Sequence, residues 1–105
     1  MTSKIDNLKR LYQACKHGLV DEVKTLYENN LITIDDFREN DNKRVKQAVK
    51  YGHLELIKYM HNVIGLEFKD FNGSEIYEKY DKNFQCLKYL HNYLDIGIII
   101  VNRDK

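Results

Sequence analysis

One phrase recurs along this chain. Gly18-Leu-Val-Asp-Glu-Val-Lys-Thr-Leu26 returns 34 residues later as Gly52-His-Leu-Glu-Leu-Ile-Lys-Tyr-Met60. A less regular copy follows as Lys82-Asn-Phe-Gln-Cys-Leu-Lys-Tyr-Leu90. The second and third copies share their exits, Lys58-Tyr-Met-His-Asn62 and Lys88-Tyr-Leu-His-Asn92. Repetition at this period implies stacked supersecondary units, none of which can bury its apolar face alone. Stacked units present an extended surface rather than a closed pocket, which favours binding over catalysis.

The local pattern is helical. Ser3-Lys-Ile-Asp6 reads as an acidic capping box with Ser3 as N-cap. Leu8, Leu11, Tyr12 and Cys15 then form one apolar stripe that ends at Gly18. Val20, Val23, Leu26 and Tyr27 form the next stripe, with Asp21 and Glu22 at its dipole-positive end. Asn29 to Asn42 is rich in Asp and Asn and reads as an irregular connector. The cycle restarts with Val45, Ala48 and Val49, turns at Gly52, and continues through Leu54, Ile57, Met60 and Ile64. Glu67 to Gly73 reads as the next connector. Ile76, Tyr77 and Tyr80 are expected to begin a third helix pair, which Phe84, Leu87, Leu90 and Leu94 finish. The tail Ile96-Gly-Ile-Ile-Ile-Val101 is β-branched and extended in character. It is expected to cover the third pair, to pair with another chain, or both, because such a segment left exposed promotes aggregation.

Ala48-Val-Lys-Tyr-Gly52-His-Leu-Glu-Leu-Ile-Lys-Tyr-Met60 resembles the ankyrin repeat from its conserved-type Ala through its second helix. Ala14-Cys-Lys-His-Gly18 with Val23, Lys24 and Leu26 resembles it less fully, with Leu19 in the His position. The connector Asp36 to Asn42 and the Lys-Tyr-Leu-His phrase resemble the divergent ankyrin repeats of large DNA viruses and some amoebae. The resemblance covers roughly residues 8 to 95. It implies an all-α solenoid of about three helix-turn-helix units with short β-turn connectors. The units would span about 6–40, 41–69 and 70–95, with a tail at 96–105, in a single domain. No copy carries Thr-Pro before the first helix. In the third copy Tyr80 stands where Ala belongs, and only two residues separate it from Lys82, so this unit should be distorted and act as a cap.

Catalysis and metal binding find little support in the residues. Cys15-x-His17 and Cys86-x4-His91 match no common zinc spacing, and both cysteines lie on apolar stripes, where thiols act as small hydrophobes. His53 reads as a turn residue bonded to local backbone. Ser occurs only at positions 3 and 74, both readable as caps, and the five glycines form no phosphate loop. No cofactor, metal or small-molecule substrate is expected.

The reading is therefore a non-catalytic protein-binding module. The net charge of +1 gives the whole chain no attraction for nucleic acid or membrane. Charge is nevertheless segregated. Lys43, Arg44, Lys46 and Lys50 fall on the first helix of the middle unit, and Lys9, Arg10, Lys16 and His17 on that of the first. Asp35, Asp36, Glu39 and Asp41 fall in the connector between them. The ankyrin resemblance places first helices along a concave groove and connectors at its tips. The expected partner surface is Lys43, Arg44, Lys46, Gln47, Lys50 and Tyr51 with Asp36, Arg38 and Asp41 at the tip, and the partner is a protein with an acidic segment. Tyr51, Tyr59 and Tyr89 lie outside the main stripes and suit an interface. Alternatives are solvated helix faces with no partner, a nucleic-acid binder using the basic helices, or a decayed fragment of a longer array. Self-association through the tail also stays open. The few cysteines, the lack of a signal-peptide pattern and the lack of a membrane-length apolar run suggest an intracellular, cytoplasmic home, in a host if the source is viral. In that setting the sequon Asn72-Gly-Ser74 is a chance match.

Overall fold

A computed structural model describes residues 3–71, 75–77, 85, 86, 88–90 and 99–101. These are mostly helical, and the chain is all-α in character. Helix α1 (Lys4–His17) starts at Ser3, whose side chain accepts the Asp6 N–H at 3.2 Å. It ends at Gly18, whose φ of 71° is left-handed. Helix α2 (Val20–Glu28) follows and packs back on α1. Helix α3 (Ile34–Lys50) is broken at Glu39–Asn42 into arms 34–38 and 43–50. Helix α4 (Leu54–Tyr59) runs into a π-helical turn, Met60–Ile64, that closes at Gly65. Helix α5 (Phe68–Phe71) is one turn long.

The 34-residue recurrence is written into the backbone. Leu19 N–H donates to the Ala14 carbonyl at 2.9 Å, and His53 N–H donates to that of Ala48 at 3.0 Å. Val20 donates to Gly18, and Leu54 to Gly52, both at 3.0 Å. Leu19 and His53 share φ near −83° and −82° and ψ near 81° and 77°. The core recurs with the same offset. Leu11, Ala14, Cys15, Val23 and Leu26 pair with Val45, Ala48, Val49, Ile57 and Met60, and all ten are fully buried. Each buried aliphatic side chain contributes roughly 1.5–3 kcal/mol.

The connectors differ from the turns expected of them. Residues 34–38 and α5 are helical, and each drives a phenylalanine, Phe37 and Phe71, into the core with full burial. Each helix is capped by its own aspartate. Asp36 accepts the Thr33 N–H at 2.7 Å, and Asp70 accepts the Glu67 N–H at 2.8 Å. Each aspartate also binds a base from 32 positions upstream. Lys4 reaches Asp36 at 2.6 Å, and Arg38 forks onto Asp70 at 2.8 and 3.1 Å. Lys4 and Arg38 are themselves 34 apart, so the two clamps span 4–36 and 38–70 at the repeat offset. The chain then reverses through Asn40, Asp41 and Asn42, which are consecutively left-handed at φ 54°, 58° and 59°. Asn and Asp tolerate that region because their short side chains bond locally.

His53 reaches beyond its own turn. Its imidazole crosses to the preceding unit, where Nε2–H donates to the Lys16 carbonyl at 2.7 Å. The ring lies against Gly18 so closely that a Cβ there would meet Nδ1 at 2.5 Å and Cγ at 2.7 Å. Residues 75–77 are also not helical. Strand β1 (Glu75–Tyr77) pairs in parallel with β2 (Ile99–Val101), with Ile76 opposite Ile100. Part of the tail thus pairs within its own chain. Cys86 and Leu90 are buried as their stripe predicts. Tyr80, Lys82, Phe84, Leu87, Leu94 and 96–98 lie outside the described residues.

Two stability outcomes follow from this framework. Gly18→Ala should cost about 1–2 kcal/mol from the left-handed backbone alone, and more as His53 is displaced. A chemical denaturation midpoint equal to the parent's would contradict the interlock. Arg38→Ala should cost up to about 3 kcal/mol by stranding the buried Asp70 carboxylate. Adding Asp70→Asn to that variant should recover part of the loss in the same titration.

Candidate functional site

A cavity opens between α1 and residues 43–44, and its chemistry is more apolar than the charge pattern implied. Ile5, Leu8, Lys9, Tyr12 and Gln13 of α1, with Lys43 and Arg44, line a surface cavity of about 610 Å³. Ile5, Leu8 and Tyr12 follow a spacing of three and four along α1, one face round from the buried Leu11, Ala14 and Cys15. Ile5 remains 65 % exposed. Lys43 Nζ stands 5.6 Å from the Tyr12 ring centroid, a cation–π distance. Among the described residues no acidic side chain lines the groove. Among the described residues, neither Lys9 nor Lys43 has a carboxylate partner.

The expected partner-facing residues divide on inspection. Lys43 is exposed beside the groove, while Gln47, Lys50 and Tyr51 are half-buried on the same arm or at its end. Arg44 is 4 % exposed and is held inside, donating from Nη1 to the Asp36 carbonyl and the Glu39 carboxylate, both at 3.1 Å. Its Nε is buried without an acceptor. A neighbour one position along a helix points about 100° away, which is why Lys43 and Arg44 have opposite fates. Lys46 binds Asp41 at 2.9 Å, so these two neutralise each other at the surface. Asp36 and Arg38 are structural, as the connector clamps show, and are not free tips. Tyr59 is buried at 8 % exposure.

The tyrosines and lysines of the opposite face form a second recurrent pattern. Lys24 Nζ lies 5.9 Å from the Tyr59 ring centroid, and Lys58 Nζ lies 5.8 Å from that of Tyr89. Each lysine belongs to one unit and its ring to the next, so the contact links units. Beside it, Tyr27, Ile32, Ile34, Tyr59 and Val63 line a second cavity of about 540 Å³.

Ionisable groups serve the fold. Burial pushes the thiols of Cys15 and Cys86 up to about 12, with Arg44 opposing slightly at Cys15, so both stay protonated. A protonated, buried thiol is a poor nucleophile and metal ligand. Among the described residues no cluster of His, Cys, Asp and Glu has the makings of a metal site. Arg10 forks onto Glu22 at 2.9 and 3.0 Å, and this hydrogen bonding holds the Glu22 carboxyl below its ordinary value. Burial raises the Asp36 carboxyl, but hydrogen bonds from Lys4 and Thr33 and the charge of Lys4 outweigh it, leaving a lowered pKa. Among the described residues no helix is long and apolar enough to cross a membrane.

The apolar floor of the groove is the part that sequence reading missed. A single stripe of Leu8, Leu11, Tyr12 and Cys15 merged two faces. Ile5, one turn before Leu8, was the signal that the apolar arc is wide enough to serve both core and groove.

The lowered pKa of Asp36 carries a pH signature. Its contribution is fully present above the ordinary value of 3.8 and is lost as pH falls through the lower folded value. Asp36→Asn should therefore destabilise the protein at neutral pH and flatten the fall of melting temperature below pH 4. An unchanged acid profile would remove Asp36 from that role.

No family model matches the chain, and no curated protein or solved structure matches it.

Proposed function

We propose that this chain is a divergent ankyrin-type array acting as a non-catalytic protein-binding module, with its partner seated on the face formed by α1 and residues 43–50. The observation that carries this reading is the groove lined by Ile5, Leu8, Tyr12 and two lysines that have no carboxylate partner among the described residues. The ankyrin assignment is supported by the repeated Ala-to-Gly turn, Ala14–Gly18 and Ala48–Gly52, with its matching backbone bonds. A helix-pair stack offers an open, elongated surface, which suits a macromolecule better than a small substrate. Protonated buried thiols fit a binding role rather than a chemical one.

The basic helices favour nucleic acid less than their sequence suggests. Arg10, Arg44 and Lys46 are each held by a carboxylate of the same chain, leaving little uncompensated charge to meet a phosphate backbone.

The test is differential capture from the native cell. Lys9→Glu combined with Lys43→Glu should lose the partner that the parent retains, and weaken its titrated affinity by about tenfold or more. The melting temperature should barely move, since exposed substitutions usually cost within about 0.5 kcal/mol. Equal affinity with the double variant would place the partner elsewhere, most directly on the Tyr27–Val63 cavity.

A further inference from the structure

Resting on the reading just given, we propose that the groove takes a short acidic protein segment carrying one large apolar side chain. Two features of the site specify that chemistry. The floor is apolar, and Ile5 in its lining stands 65 % exposed. An apolar side chain inserted between Ile5, Leu8 and Tyr12 removes that area from water, the main source of affinity in a small groove. The rim is cationic. Lys9 and Lys43 flank the floor and, among the described residues, have neither a carboxylate partner nor an acidic neighbour in the lining. Carboxylates on either side of the apolar anchor complement them and raise the rate of encounter.

Arg44 in the groove wall adds no free charge, because most of its side chain is buried and its guanidinium already binds the Glu39 carboxylate. A phosphodiester would meet the same lysines but gains nothing from an aliphatic floor at Ile5 and Leu8. A cationic segment is repelled by the rim. The groove thus discriminates by combining the two halves of one ligand.

A random linear-peptide phage library displayed against the intact chain tests this. The enriched peptides are expected to carry one Phe, Leu, Ile or Trp with Asp or Glu close on either side. Their affinity should fall by about tenfold for Ile5→Asp, and again for Lys43→Glu, with both variants melting as the parent does. Peptides sensitive to Ile5→Asp but indifferent to Lys43→Glu, or enriched without acidic residues, would overturn the acidic assignment and leave the groove standing. Enriched peptides that bind both variants as well as the parent would overturn the groove itself. Displacement of the peptides by single-stranded DNA, with an affinity for that DNA falling steeply with salt, would overturn the choice of protein over nucleic acid.

Discussion

Each of the first two units is closed on itself by one carboxylate. Asp36 caps the short helix that ends the first unit and at the same time binds Lys4 at that unit's start. Asp70 does the same for the second unit with Arg38. Because the cap and the ion pair share an acceptor, the connector cannot shift without releasing both. Phe37 and Phe71 follow directly after these aspartates and are carried into the core by the same turn. The helix pairs, the stacking of Val45 and Val49 on Leu11 and Cys15, and the groove above them all presuppose that closure.

Much of this was legible in the residues and some was not. The 34-residue offset, the two Gly turns and the inner stripes follow from apolar spacing, because burial leaves a periodic trace. The connector helices left a trace too, since Asp36-Phe37 and Asp70-Phe71 recur at the same offset. Their Asp- and Asn-rich surroundings carry the composition of turns, and a helix of one turn has too few residues for periodicity to register. The reach of His53 across units was hidden for a different reason. A histidine after a turn glycine bonds locally or across units equally well, and only the packing distance to Gly18 decides. Charge was the least legible property. A lysine or arginine pattern marks a helix face, but whether a cation is spent within the chain depends on which carboxylate folding brings alongside.

The two outer surfaces of the first unit show the same logic at larger scale. Where the second unit presents buried Leu56 and Tyr59 to its neighbour, the equivalent positions of the first are Glu22 and the exposed Thr25. Arg10, which corresponds in register to the buried Arg44, turns to pair with Glu22. The fold is one repeated template, with polar residues written into it wherever the surface meets water. The Lys24–Tyr59 and Lys58–Tyr89 contacts keep that template in step on the far side of the stack.

The reversal at Asn40, Asp41 and Asn42 inverts a common expectation about which positions a protein can vary. Asn40 and Asp41 are exposed, and Asp41 and Asn42 lie where the chain merely changes direction. Ordinarily such a loop would accept almost any polar residue. Here three successive positions hold a mirror-image backbone, which β-branched and bulky side chains enter only at a cost of roughly 1–2 kcal/mol each. The buried valines beside them, at 45 and 49, have aliphatic alternatives of similar size, whereas this wet corner is confined to an alphabet of about three letters. In this molecule the narrowest sequence constraint sits on the outside.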